Sequence, residues 1–447
     1  MIRLSILTLA AAACADRTIV VGDLQEVSSF KAVPNPNLDL LFVIDNSGSM
    51  AAHQAALAES FPRMMDKLAE LDGRLPNLHI GVVTSDMGTS ATTTPPYAPI
   101  GQVGVDYCAS YGDDGALQHA NAPELAGMFI SDVADASGGR IRNYTGDLRD
   151  VFSKIALVGS AGCGIEQHLS AMRRALENEA NAGFVRPDAN LAVVIIANED
   201  DCSLVDSNML GPETPALGPL QSFRCTRFGV VCEPDDMATP GSRADCMPRA
   251  DSAYVEDVQP FIDALLATKN DPRMIMAAAV VGDLEPFAIE LRDIGGTLQP
   301  ALAHSCTFSG PLGAAIADPG IRLASFLDAF PGRSQLASIC SPDLASPLAM
   351  IGDSAKKLVG DPCIDTASLL DTSSEPGTQP ACEVVDIRDS QPGAPTPVPL
   401  CNAGSTDCFE LVADPTGCPA TTDHLRVNLR RSVVTDDTWT SVRCQGR

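Results

Sequence analysis

The chain has 447 residues, with 30 Lys and Arg against 57 Asp and Glu, a formal net charge of −27. Such a length predicts two or three domains with ample core. No basic stripe exists; the basic residues cluster no more tightly than pairs such as Arg173-Arg174 and Arg430-Arg431. The charge argues against a nucleic-acid partner and against direct adhesion to anionic lipid.

Met1-Ile2-Arg3, a mostly apolar run from Leu4 to Ala13 and then Cys14 read as a secretory signal too short to span a membrane. Cys14 directly after Ala11-Ala12-Ala13 resembles a bacterial lipobox. That resemblance implies a lipidated Cys14 as the mature N-terminus, and a protein held at the bacterial outer membrane or cell surface by its anchor alone. An ordinary signal peptide with an incidental cysteine is the alternative. Residues 15–37 are polar, end in Val33-Pro34-Asn35-Pro36-Asn37, and are expected to act as a tether. The 15 cysteines are odd in number; apart from Cys14, eight fall between Cys108 and Cys340 and six between Cys363 and Cys444. Two even sets predict two independently bridged domains in an oxidising compartment, and the spacings do not suit a zinc ribbon.

Leu40 to Ile44 are five apolar residues without polar alternation, the pattern of a strand buried on both faces. The run stops at Asp45-Asn46-Ser47-Gly48-Ser49-Met50. Leu57, Phe61, Met64, Met65, Leu68 and Leu71 then recur at helical spacing, and Pro62 is expected to kink or restart that helix. In open α/β sheets, ligands bind at the turn after a strand's carboxyl end. A helix cap needs one side-chain oxygen there. Asp45, Ser47 and Ser49 offer three at alternate positions, which suits a hard divalent cation.

His79 to Thr84, Leu191 to Ala197 and Met274 to Val281 read as further buried strands, the second closed by Asn198-Glu199-Asp200-Asp201. The pattern dissolves over 88–146 and 203–250, which read as insertions: the first with an edge strand at Met128 to Ile130, the second pinned by disulfides. Helices are expected over Leu148 to Val158, from Ile165, over Val255 to Lys269 with Pro260 near its middle, and over Ile321 to Phe330 and Leu348 to Val359. A short strand is expected near Leu336 to Cys340. Gly159 to Gly164 lacks the Gly-Lys-Ser/Thr ending of a phosphate loop and does not follow a strand. This alternation predicts an α/β domain over 38–359 with a mostly parallel central sheet and helices on both faces. From 360 to 447, six cysteines among Pro, Thr and Ser predict a small bridged β module, with strands at Phe409 to Val412 and Leu425 to Leu429.

The buried strand ending in Asp45-x-Ser47-x-Ser49 resembles the first motif of the von Willebrand factor type A domain, and the likeness covers about residues 36–358 with insertions. It implies a Rossmann-like sheet with its first strand central, and an adhesion site holding Mg²⁺, or else Mn²⁺ or Ca²⁺. By that resemblance Asp45, Ser47 and Ser49 are metal ligands. Ser160 takes the place of the family's loop threonine, with Cys163 or Glu166 as alternatives. Asn198 stands where the family has an aspartate, with Glu199 or Asp200 supplying the missing charge. Since those loops would converge on one metal, Cys163 and Cys202 are expected to bridge. The resemblance further implies binding without catalysis, the open metal position taking the carboxylate of a protein partner. Two rivals are a structural disulfide-rich surface protein with a vestigial site and a metal-dependent hydrolase. Against the latter, the six histidines form no His-Glu-x-x-His and no Gly-x-Ser-x-Gly occurs; His53, one turn into the first helix, reads as a surface or capping residue.

Overall fold

The computed structural model describes residues 24–446, apart from 33–34, 70–74, 311–312, 342, 361–362, 375–376, 389, 416–417, 419–420, 422, 434 and 436. The expected signal, Cys14 and Leu71 fall outside the described residues. Seven strands make the central sheet: β1 (Asn37–Ile44), β2 (Asn77–Thr84), β3 (Ile130–Ala134), β4 (Arg140–Arg142), β5 (Asn190–Ile196), β6 (Ile275–Val281) and β7 (Ser334–Ser338). Their order is β7-β6-β5-β1-β2-β3-β4, so β1 is central. From β7 to β2 every pairing is parallel, while β3 and β4 add antiparallel at one edge. The remaining sheets are antiparallel, and the chain as a whole is a mixed α/β protein of several sheets.

The unbroken apolar runs are explained by burial from two sides. Leu40, Phe42 and Ile44 face α1 (Ala51–Ala69), α2 (Leu148–Ala156) and, late in the chain, α7 (Ala345–Val359). Leu41 and Val43 face α3 (His168–Glu177), α5 (Gln259–Leu266) and α6 (Ile321–Leu327), while α4 (Phe223–Gly229) lies in the second insertion. Phe42 packs on Phe61 and Phe152 with ring centres 5.9 and 4.8 Å away. Truncating such a residue to alanine costs about 3–5 kcal/mol.

Several expectations are corrected. α1 runs through Pro62 without a break. Proline leaves the Ala58 carbonyl without its helical donor, and Ser153 Oγ of α2 supplies one at 3.3 Å. Pro260 does not interrupt α5 but opens it, in the first turn where no N–H is needed. The first insertion returns to the central sheet as β3 and β4. The second gives Gly241–Pro248 to a separate four-stranded antiparallel sheet, where it pairs with Phe287–Ile294 from beyond the insertion.

The tether expected over 15–37 holds a strand, Leu24–Lys31, paired along its length with Thr438–Gln445 of the C-terminal module. That module is two small antiparallel sheets held by Cys363–Cys418, Cys382–Cys444 and Cys401–Cys408. It docks through Trp439, whose Nε1 donates to Asp271 Oδ2 at 2.8 Å and whose ring lies 4.3 Å from the Arg273 guanidinium. Asp271 and Arg273 precede β6, so the module sits at the opposite end of the parallel strands from the turns that follow them.

Candidate functional site

Strand β1 pairs with β5 on one side and β2 on the other until the chain breaks away at Asp45, whose N–H still donates to Ile196 O at 2.9 Å. The Asp45 carboxylate turns back on its own turn: Oδ1 accepts from Ser47 N at 2.8 Å. Oδ2 is buried and has no hydrogen-bond partner, in a residue that is 0% exposed. Ser47 Oγ and Ser49 Oγ are 2.9 Å apart, and Ser49 Oγ donates to Asn198 Oδ1 at 3.1 Å. Asn198 Nδ2 is engaged elsewhere, donating to Ile316 O at 3.1 Å, which presents the amide oxygen to the serines. Asp45, Ser47, Ser49 and Asn198 are thus brought together by the ends of two neighbouring strands.

Gln54 of α1 fastens the loop after α2 to this turn. Its Nε2 donates to Asp45 O and Gly159 O, and its Oε1 accepts from Gly159 N. Gly162 N then donates to Asn46 O at 2.8 Å. Ser160, between these anchors, is half-buried and is not among the residues lining the cleft beside Ser47 and Ser49. Glu166 stands in that cleft instead, with Glu199 and Asp106, in a space of about 340 Å³ lined, among the described residues, by no Lys, Arg or His. Asp200 is committed to the start of α6, accepting from Arg322 N and Leu323 N at 2.9 and 3.1 Å. Burial pushes its carboxyl up to about 6.

The electrostatics of the cleft are one-sided. Burial raises the Glu199 carboxyl to about 8, and the charges of Asp318 and Asp45 add to the shift. Glu166 is held well above its ordinary range by burial, then by Glu199 and Asp45. Charged carboxylates gathered without a cation repel one another, and a divalent ion would reverse the sign of that interaction. His53 is wholly buried, not a surface residue: its Nε2 is 3.3 Å from Ile316 O, and burial lowers its pKa. His168, at the start of α3, is also buried, with neither ring nitrogen partnered.

The expected Cys163–Cys202 bridge is absent. Cys163 pairs with Cys108 and Cys202 with Cys225. The two loops do meet, since Cys202 N donates to Glu166 O at 2.7 Å. Each cysteine, however, pins an insertion to its loop rather than one loop to the other. Asp106, carried by the first insertion, had no local signal in the sequence. Its only pointer was its place two residues before Cys108.

Among the described residues no group of three His, Cys, Asp or Glu side chains is arranged to hold a metal ion. The set around Asp45 is of another kind, two hydroxyls and an amide oxygen with one carboxylate. The unpartnered, buried Oδ2 of Asp45, in the same turn as those serines, fits an oxygen-seeking divalent cation.

No family model and no curated protein matches this sequence. Among solved structures it is similar to the pilus adhesin SpaC from Lactobacillus rhamnosus GG, at 10% identity and a TM-score of 0.30 over 94% of this chain and 40% of that one. It is similar to the conserved hypothetical protein BatB from Bacteroides thetaiotaomicron, at 10% identity and 0.26 over 72% of this chain and 98% of that one. The pilus adhesin RrgA from Streptococcus pneumoniae gives 11% identity and 0.28 over 95% of this chain and 58% of that one. The chain therefore spans about two fifths of SpaC and under two thirds of RrgA. Likenesses this weak carry no argument, and the functional reading rests on the chain's own residues.

Proposed function

We propose that this chain is an extracytoplasmic binding protein with a type A-like domain, in which the cleft past β1 and β5 holds a divalent cation, Mg²⁺ or else Mn²⁺ or Ca²⁺. Through that ion it binds an acidic group of a protein partner, without turning it over. One observation carries the reading: Asp45 Oδ2 is fully buried without a partner, in the turn whose Ser47 and Ser49 hydroxyls meet each other and the Asn198 amide oxygen. A buried carboxylate oxygen left unsatisfied costs about 1–3 kcal/mol or more, so it calls for a ligand.

In this reading Asp45, Ser47, Ser49 and Asn198 hold the ion. The ion supplies a positive centre for a partner's carboxylate. Glu166 and Glu199 place negative charge beside it, and Gln54 keeps the Gly159 loop against the Asp45 turn. Ser160 and Asp200 keep only supporting positions. The parallel strands from β7 to β2, centred on β1 with helices on both faces, support a Rossmann-like domain. Fourteen of the 15 cysteines pair in seven bridges, which fits folding in an oxidising compartment. Among the described residues no helix is long and apolar enough to cross a membrane.

Calorimetric titration of the full chain with Mg²⁺, Mn²⁺ and Ca²⁺ tests this, followed by capture from envelope extract with and without chelator. Saturable binding lost in Asp45→Asn is expected. Equal heats from wild type and Asp45→Asn would sink the reading. A chelator that lowers the melting temperature yet leaves partner capture intact would assign the ion a structural role instead.

A further inference from the structure

The first insertion sends a short hairpin, Ile100–Gln102 with Val105–Cys108, to the mouth of the cleft. Asp106 lies in it at φ 50°, a left-handed conformation that few residues besides Gly, Asn and Asp adopt. Its Oδ1 accepts from Gly48 N at 3.1 Å, between the two serines. A Cβ on Gly48 would stand 3.0 Å from that Oδ1, and one on Gly164 would stand 2.9 Å from Asp106 Cβ. Glycine at both positions leaves the space through which the side chain reaches the serines. Two residues on, Cys108 is bridged to Cys163, the neighbour of Gly164.

A simple cap for the Gly48 N–H does not explain this placement. An uncharged oxygen would serve that N–H equally well. A carboxylate there brings a third acidic side chain into the cleft beside Glu166 and Glu199. Among the described residues, no Lys, Arg or His lines the cleft to offset it. Independently of these acids, Asp45 Oδ2, in the same turn as Ser47 and Ser49, is buried without a partner and calls for a positive ligand.

We propose that Asp106 is an acidic ligand supplied by the chain itself: its carboxylate takes, on the cation held by Asp45, Ser47 and Ser49, the outward position that a partner's carboxylate would otherwise fill. The inference rests on the cation reading above and deepens it. It makes the resting site closed, with the 100–108 hairpin as the element that an acidic partner must displace. Ligand exchange of this kind changes no covalent bond; one carboxylate leaves the ion as another arrives.

The test uses Tb³⁺ as a luminescent, oxygen-seeking probe on the full chain, with decay rates in H₂O and D₂O reporting the waters on the ion. Wild type should bind Tb³⁺ with few waters. Asp106→Ala should bind it about 10-fold more weakly, as expected for loss of one charged oxygen ligand, and with at least one more water. Acetate should remove that extra water in Asp106→Ala and leave wild type unchanged. Asp106→Asn, which retains an acceptor for Gly48 N, should weaken Tb³⁺ in the same direction and guards against misfolding of the alanine variant. An unchanged affinity and water count in both Asp106 variants would overturn the proposal while leaving the cation site intact. Absence of Tb³⁺ binding in wild type, or full binding in Asp45→Asn, would overturn the site and the proposal together.

Discussion

Asn198→Asp is the substitution that most directly probes the charge of the site. In the native side chain, Oδ1 accepts from Ser49 Oγ at 3.1 Å and Nδ2 donates to Ile316 O at 3.1 Å. The aspartate puts an oxygen where that donor was, facing a carbonyl oxygen in a residue that is 1% exposed. Losing the bond and burying two opposed acceptors should cost the cation-free protein about 1–3 kcal/mol. The same change adds one negative charge among the oxygens proposed to hold the ion. Charge count is what tunes oxygen sites, and ~10-fold tighter Mg²⁺ binding, or about 1.4 kcal/mol, is expected. Thermal unfolding shows both effects. In chelator the variant should melt below wild type, and saturating Mg²⁺ should raise its melting temperature by more than it raises wild type's. The better-neutralised ion should also capture an acidic partner less well. Equal Mg²⁺ affinities by calorimetry would refute the reasoning. Loss of binding in Glu166→Gln with no effect of Asn198→Asp would move the decisive charge to the loop after α2.

The Glu199 carboxyl, lifted from 4.5 to about 8 by burial, binds its proton more tightly in the folded than in the unfolded chain. Its contribution is complete below about pH 4.5 and is lost as pH rises to about 8, so denaturation in chelator should show stability falling across that window. Saturating Mg²⁺ should flatten the slope; a flat profile in chelator would contradict the burial argument. Arg322→Ala strips the buried Asp201 of its partner at 3.0 Å and should cost about 3–5 kcal/mol by chemical denaturation, with under ~1 kcal/mol as the refuting result. Cys14→Ser should release the chain from the membrane fraction, and unchanged retention would end the lipid-anchor reading.

What the sequence determined by itself was local. Apolar runs at Leu40 to Ile44, Leu191 to Ala197 and Met274 to Val281 announce buried strands because a strand covered on both faces tolerates no polar alternation. Asp45, Ser47 and Ser49 stood out because all three share one turn. Counting cysteines was enough to separate two bridged sets, since parity needs no geometry.

Tertiary structure decided whatever depended on distant segments meeting. Leu24–Lys31 carries no strong pattern of its own and becomes a strand only because Thr438–Gln445 offers a partner edge. Cys163 and Cys202 sit on loops that converge, yet their bridges go to Cys108 and Cys225. Convergence of two backbones does not set which thiols lie within bonding reach, and the insertions supply the nearer ones. Asp106 and Glu166 are 60 residues apart in sequence and close in space for the same reason. Periodicity records how each segment is buried. Which carboxylates face one another in the cleft depends on how the insertions fold back over the sheet, and no local pattern encodes that.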